Sequence, residues 1–529
     1  MSAAPQPARR DVARMLAQSP TRDLVVIGGG ATGLGVALDA AARGLSVALV
    51  EAEDFAKGTS SRATKLVHGG VRYLGQGDLK LVREALRERA LLLRNAPHLA
   101  QPLSFLLPVY GARGRWLDQW FYGAGLVLYD LLAGEQRLGR TQFLGAAEAA
   151  RASRGLNARG LAGAVRYWDG QFDDARLAVA LARTAIARGA AVLNHCAAVE
   201  LLHEGGRIAG VVAEDRETGA RHTLRARCVV NATGVWVDSV RRMDRAPRGN
   251  LVAPSQGVHL VVDRDFLPDD EAILVPRTRD GRVLFAVPWL GKVILGTTDT
   301  PRSDLAIEPE PFREETDFIL GEAGRYLARA PARGDVRSVW VGLRPLVRPP
   351  NEDPGDTKAL SREHAVLVER SGLVTVTGGK WTTYRAMAED VLSHCMAGEL
   401  LPSRAAGATA ALALVGAPAT GERALSDAPG LHLYGTEAPL VQSLPGAQRE
   451  LTPGLSEAMV RFAARHEYAR SVEDVLARRS RLLFLDARLA AQVAPRVAAL
   501  LGEELGEAFD ATRSLRDFTQ LAAQYASVE

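Results

Sequence analysis

The sequence predicts an α/β protein with three parts: a Rossmann-like dinucleotide-binding domain, an antiparallel sheet laid over it, and a C-terminal helical cap. Three stretches carry this reading. Residues 23–35, DLVVIGGGATGLG, join an apolar strand to a glycine turn and a small-residue helix. Between 251 and 300 short apolar runs recur (GVHLVVD, RVLFAVPWL, KVILGTTD), as in hairpin-connected strands. From 456 to 529 the apolar residues fall at helical spacing, for instance in HEYARSVEDVLARRSRLLFL.

In the first stretch Gly28 permits a tight turn and Gly30 lets the backbone approach a pyrophosphate. Gly33 lets the helix pack closely, and the helix N-terminus attracts the phosphates. The next strand, SVALVE, ends in Glu51, 18 residues beyond Gly33 and placed to accept from a ribose hydroxyl. A polar turn, GTSSRATK (58–65), precedes LVHGGVRYL, and a charged helix is expected over 78–95. Residues 175–188 read as a helix, 191–202 as a strand, and Gly205-Gly206 as a hairpin into IAGVVAED. RARCVVNATG (225–234) is a second buried strand ending in a small-residue turn at Gly234, and GLVTVTGGKWTTYRAM (372–387) is a third strand, turn and helix. The Ala-, Gly- and Pro-rich run 401–421 marks a boundary. The expected organisation is a tail over 1–20, a cofactor domain over 21–400 with a substrate region inserted at about 70–175 and 250–345, and the cap over 401–529.

With 529 residues the chain exceeds one ordinary core. Its 47% hydrophobic and 24% charged content is that of a globular protein. Net charge is +4, but only six of the 65 basic residues are lysine, and no basic run is interleaved with aromatics, which argues against nucleic acid as a partner. Cys196, Cys228 and Cys395 lack metal-ligand spacing and suit a reducing compartment, so no metal is expected. The N-terminus lacks a signal-peptide core, and no apolar run reaches the roughly 20 residues of a membrane span. The nearest, WLDQWFYGAGLVLYDLL (116–132), reads as a core helix with an aromatic face or as a helix lying in a membrane interface.

Three strand–turn segments converging on one ligand favour a deeply held FAD over a diffusible nicotinamide. A helix beginning near Lys380–Thr382, after Gly379, would aim its amides at the flavin pyrimidine, where negative charge appears on reduction. Ser60, Ser61, Thr64 and Lys65 are placed to contact the flavin or its phosphates, unless the turn is simply solvated. Asp299 in GTTDT reads as a structural residue that ends a strand and caps the next segment.

IGGGATGLGVALDAAARG (27–44), GTSSRATKLVHGGVRYL (58–74), NATGVW (231–236), VGLRPL (341–346), SREH (361–364) and GGKWTTYRAMAE (378–389) stand in an order and spacing that resemble the FAD-dependent, quinone-linked glycerol-3-phosphate dehydrogenases. Residues 466–486 look like that family's cap, so the resemblance runs from residue 21 to the end. One departure is Leu34, where a smaller residue is expected. The resemblance implies oxidation of sn-glycerol 3-phosphate to dihydroxyacetone phosphate, with electrons passed to membrane quinone. It also implies a peripheral seat on the inner, cytoplasmic face of the cell membrane and leaves room for a homodimer.

A phosphomonoester calls for guanidinium forks, which nominates Arg72, Arg344 (beside Pro345, in an expected turn) and Arg362. Loss of a carbinol hydride needs the hydroxyl proton removed. His68, flanked by two glycines, is the first candidate base, with His259 and Lys380 behind it. His259 also suits a substrate hydrogen bond or a satisfied core position, Tyr73 a substrate contact, and Lys380 an alkoxide or flavin anion. An oxidase passing electrons to oxygen, an amine or amino-acid oxidase, and a non-catalytic flavin-binding regulator are the competing readings.

Overall fold

The computed structural model describes residues 7–17, 21–70, 78–111, 116–244, 249–348, 363–421 and 423–528, and of 116–122 the backbone alone. Its first sheet runs, edge to edge, His364–Val368, Leu373–Gly378, Arg221–Asn231, Arg22–Ile27, Val47–Val50 and Ala191–Leu193. These strands pair in parallel, except that the His364–Val368 edge strand is antiparallel; off this row, Arg207–Asp215 also pairs antiparallel with the N-terminal half of Arg221–Asn231. Residues Leu24, Val25 and Val26 are fully buried, as a parallel strand covered on both faces requires. The helix Ala31–Ala42 is apolar on every side because it lies against both Asp174–Ala187 and Tyr384–Ala397. Leu34, where a smaller residue was expected, is completely buried in this packing. A Cβ on Gly33 would sit 1.9 Å from the Gly28 carbonyl oxygen, so the helix meets its own turn with no room for a methyl group.

The strand expected over 191–202 is two strands. Ala191–Leu193 stays parallel to Val47–Val50, while Cys196–Glu204 turns away to pair antiparallel with Arg207–Asp215. The break falls at Asn194 and His195, where Asn194 donates to Asp54 and to the Tyr468 carbonyl, both at 2.9 Å, and His195 takes a left-handed φ of 50°. Gly205 and Gly206 both have positive φ and close the hairpin.

The second sheet has ten strands and draws on more of the chain than the 251–300 text. Val252–Asp263, Ala272–Val275, Leu284–Trp289 and Lys292–Gly296 are joined by Ala100–Tyr110, Leu161–Phe172 and Ser338–Val347. Its pairings are antiparallel apart from Ala272–Val275 against Ala100–Tyr110. The C-terminal helices Glu457–His466, Ala487–Leu505 and Ala511–Ala526 start at Ser456, Asp486 and Asp510, whose side chains each accept from an amide three residues on. Their core holds Val460, Phe462, Leu500 and Phe518 and is continuous with Trp289 and Trp340 of the second sheet. The cap is therefore packed on that sheet through shared apolar contact, which excludes water from one sheet face.

Gly33→Ala is expected to lower the free energy of unfolding by about 1–3 kcal/mol through overpacking. A denaturant midpoint equal to that of the wild type would show that the helix can move aside.

Candidate functional site

The ends of the three parallel strands open into one cavity of about 1780 Å³. Gly28, with φ of 108°, leaves the first strand, and a Cβ there would lie 2.7 Å from the Ala232 carbonyl oxygen of the second turn. Thr377 Oγ1 donates to the Gly234 carbonyl at 3.1 Å, joining the second turn to the third. Thr382 Oγ1 donates to the His68 carbonyl at 3.2 Å, joining the third turn to the histidine turn. Gly28, Gly30, Glu51, Ser60, Thr64, Gly234, Gly379, Lys380 and Thr382 all line this cavity, and so do His68, His259 and Arg344.

The donor set suits a dinucleotide. The helix Ala31–Ala42 begins behind Gly30 with Ala31 and Thr32 on the wall, presenting N-terminal amides and a positive dipole end. Ser60 Oγ accepts from the Ala31 amide at 2.9 Å, and the Ser60 carbonyl accepts from the Trp381 indole at 2.8 Å. One residue therefore touches both the helix start and the third turn. Glu51 accepts from the amides of Gly29 (2.6 Å) and Glu53 (2.8 Å), and burial raises its pKa above the ordinary carboxyl value. At the third turn Lys380 precedes the 3₁₀ segment Trp381–Thr383, which runs on into Tyr384–Ala397.

Around the far end, Arg344 stands inside the strand Ser338–Val347, not in a turn as its Pro345 neighbour suggested. That strand pairs with Val252–Asp263, and an edge tolerates proline because no amide is needed there. The guanidinium is oriented by the carbonyls of Gln256 and Thr298 (both 3.0 Å), Thr297 Oγ1 (3.2 Å) and Asp299 Oδ1 (3.4 Å). Asp299 thus faces the cavity and accepts from both Arg344 and the Ser255 hydroxyl, so the structural residue the sequence suggested also orients Arg344. Gly257 makes the room: a Cβ there would lie 2.3 Å from Arg344 Nη2.

His259 is buried, stacks on Trp340 with centroids 4.1 Å apart, and shares a 2.9 Å hydrogen bond between Nε2 and Thr64 Oγ1. Its Nδ1 is buried with no hydrogen-bond partner. Burial first, then the charges of Lys65 and Arg344, hold its pKa well below the usual imidazole value, so the ring is neutral at physiological pH. The His68 turn is fixed from behind: the Gly69 amide donates to Tyr129 Oη at 2.8 Å, and Tyr129 donates to Asp169 at 3.0 Å. Arg89 donates to the same Asp169 at 3.0 Å.

Two expected cofactor contacts are corrected. Lys65 is fully buried behind the cavity wall, donating to Asp174 and to the Ser61 carbonyl (both 2.7 Å) with its ammonium 4.5 Å from the Trp340 ring centroid. Burial pushes its pKa down to about 7, against the pull of Asp174. Ser61 is likewise buried, and its side chain is absent from the cavity lining. Arg72, Tyr73 and Arg362 lie outside the described residues. Sequence reading missed Thr297, Tyr129 and Asp169 and the contact of Asp299 with Arg344; only Gly257, two residues before His259, marks the close packing around Arg344.

Comparison with known proteins agrees with this geometry. Residues 23–385 match the family model "FAD dependent oxidoreductase", and residues 409–512 match "C-terminal domain of alpha-glycerophosphate oxidase". The mitochondrial glycerol-3-phosphate dehydrogenase of Homo sapiens is 41% identical over 538 residues, covering 94% of this chain and 73% of that protein. An Arabidopsis thaliana mitochondrial glycerol-3-phosphate dehydrogenase is also 41% identical, covering 91% of this chain and 82% of its own. The crystal structure of the glycerol-3-phosphate dehydrogenase from Bacillus halodurans complexed with FAD superposes with a TM-score of 0.79 at 31% identity, covering 99% of both chains. A glycine oxidase from Geobacillus kaustophilus shares the fold, with a TM-score of 0.52 at 21% identity over 73% of this chain and 96% of its own.

His259→Asn is expected to leave the acid limb of the kcat/KM profile in place, because a ring already neutral there does not change charge. A limb displaced by about one pH unit or more would assign that titration to His259.

Proposed function

Given that this chain belongs to the FAD-dependent glycerol-3-phosphate dehydrogenase family, we propose that it oxidises sn-glycerol 3-phosphate to dihydroxyacetone phosphate, with bound FAD supplying the two-electron acceptor for the C2 hydride. The observation that carries this reading is that Arg344, His259, His68 and Lys380 line the same cavity as the dinucleotide donor set. An alcohol bearing a phosphate dianion needs a fixed guanidinium at one end and a proton acceptor at the other.

In this reading Arg344 binds the phosphate together with Arg72 and Arg362, and its four oriented contacts hold it ready without reorganisation. His68 takes the proton from the C2 hydroxyl; the Gly69 anchor to Tyr129 and the Thr382 bond to its carbonyl keep the turn in one position. His259, whose Nε2 is engaged by Thr64 and whose Nδ1 is buried, does not present a ring nitrogen to substrate; it positions the cavity-lining Thr64 hydroxyl, and Tyr73 is left as the proposed substrate contact. Lys380 steadies negative charge at the head of the third turn, where the 3₁₀ amides add a positive dipole end.

We further propose that the electrons leave to a membrane quinone and that the protein sits peripherally on the inner face of the cell membrane. No helix among the described residues is long and apolar enough to cross a membrane. On the helix Trp116–Ala133, Tyr129 and Leu126 point inward while Val127, Leu128 and Leu131 stand exposed, Leu131 at 70%. Leu126 and Leu128 also line the cavity, so one apolar helix borders both the redox site and the outer surface. That arrangement supports a lipid-borne acceptor over oxygen.

Anaerobic addition of sn-glycerol 3-phosphate is expected to bleach the flavin, while glycerol and amino acids do not. Reoxidation by a soluble quinone should outpace reoxidation by air; the reverse order would make the enzyme an oxidase. Arg344→Ala is expected to raise the KM for glycerol 3-phosphate about tenfold or more, about 1.4 kcal/mol, and unchanged kinetics would remove it from the phosphate site. His68→Ala is expected to slow flavin reduction about 10²-fold or more with FAD still bound; a wild-type rate would pass the proton to His259 or Lys380.

A further inference from the structure

The loop between the second strand, Val47–Val50, and the short strand Leu66–Val67 has two faces. One face is cavity wall: Ala56, Gly58, Thr59, Ser60 and Thr64 line it. The other face is turned toward the C-terminal domain and carries the buried groups Asp54, Ser61 and Lys65, with the half-buried Lys57, which also lines the cavity, beside them. Asp54 is 0% exposed and accepts from Arg479 Nη1 (2.5 Å) and Nη2 (2.8 Å) and also from Arg478. Lys57 donates to Glu473 at 2.9 Å. Arg481, fully buried with a left-handed φ of 66°, donates to the Ser61 carbonyl at 2.9 Å and to Asp174 at 3.0 Å, and Lys65 holds the same two acceptors.

These cap partners, the donors Arg478, Arg479 and Arg481 and the acceptor Glu473, come from one short stretch around the π-helical turn Asp474–Arg479. The loop itself has little regular structure beyond the 3₁₀ segment Thr59–Ser61. Its shape therefore depends on these partners, because a buried charge left without its counter-charge is strongly unfavourable and the pairs form only in one geometry. The loop in turn fixes Ser60 between the Ala31 amide at the start of the glycine-turn helix and the Trp381 indole of the third turn. A dinucleotide held in this cavity cannot leave past that wall unless the loop moves.

We propose that the C-terminal domain is a clamp on the cofactor: Arg478, Arg479 and Arg481, with Glu473, hold the 54–65 loop closed over FAD and set how slowly it is released. These are positioning residues, acting on FAD through Asp54, Ser61 and Lys57. Asp54, His195 and Asp474 also converge, but the guanidinium groups of Arg478 and Arg479 take their carboxylate oxygens, so the cluster reads as part of the clamp.

The test is FAD release from holoenzyme, followed as the rise of free-flavin fluorescence on dilution. Asp54→Asn breaks the clamp from the loop side and Glu473→Gln from the cap side. Glu437→Gln serves as the control: it weakens another cap contact, with Arg183 at 2.5 and 2.7 Å, a pair that includes no residue of the 54–65 loop. The expected result is release faster by about tenfold or more in the first two variants and within about twofold of wild type in the control. Equal rates in all proteins, or the same acceleration in all three variants, would overturn the clamp in favour of ordinary domain packing. If Asp54→Asn does not fold, Glu473→Gln read against Glu437→Gln decides the matter, and neither readout depends on which residue removes the substrate proton.

Discussion

A side chain on Gly28 would meet the carbonyl of Ala232 at 2.7 Å, and the rest of the site depends on that contact between two strand ends. Because Arg22–Ile27 and Arg221–Asn231 approach this closely, the helix behind Gly30 starts at the carboxyl ends of central strands, with its N-terminus at the same cavity as Gly234 and Gly379. Hydrogen bonds then pass the alignment on, from Gly234 to Thr377 and from Thr382 to the His68 carbonyl. Phosphate-seeking dipole, ribose-seeking carboxylate and candidate base are thereby brought to one cavity by backbone geometry, with little freedom left to rearrange.

Charge is managed differently in front of and behind this wall. In front, Arg344 is held mostly by neutral groups, with Asp299 as its longest contact, and His259 is kept neutral by burial and by nearby cations. An approaching anion therefore meets a guanidinium already oriented by its neighbours beside an uncharged imidazole. Behind, Lys65, Asp174, Arg481, Asp54, Arg478 and Arg479 are buried in mutual pairs. Such pairs contribute little net stability relative to an apolar core, but they specify one arrangement, which suits a wall that must keep its shape around a ligand.

The cap is less separate than a boundary at 401–421 suggests. Its helices share an apolar cluster with Trp289 and Trp340 of the second sheet, and Trp340 is the ring on which His259 stacks. Packing in the cap and the position of the histidine that holds Thr64 on the cavity wall are thus linked through one tryptophan.

The glycine turn, Glu51, the third turn at Gly379–Thr382 and the His68 turn were legible because each depends on residues a few positions apart, where spacing and the absence of side chains restrict the backbone. Side-chain direction was not legible. Lys65 sits in a polar run that reads like a ligand-binding turn, yet Asp174, more than a hundred positions away, draws it to the opposite face. Pro345 suggested a turn for Arg344, but an edge strand paired on one side accommodates it, and Asp299 acquired its role only when the Lys292–Gly296 and Ser338–Val347 strands came to flank Val252–Asp263. The sequence by itself determined where the backbone must turn and where helices begin, since those are short-range steric and hydrogen-bonding constraints. Which polar groups face the ligand and which are buried behind it was decided by tertiary structure, because burying a charge is tolerable only where distant residues supply its partner.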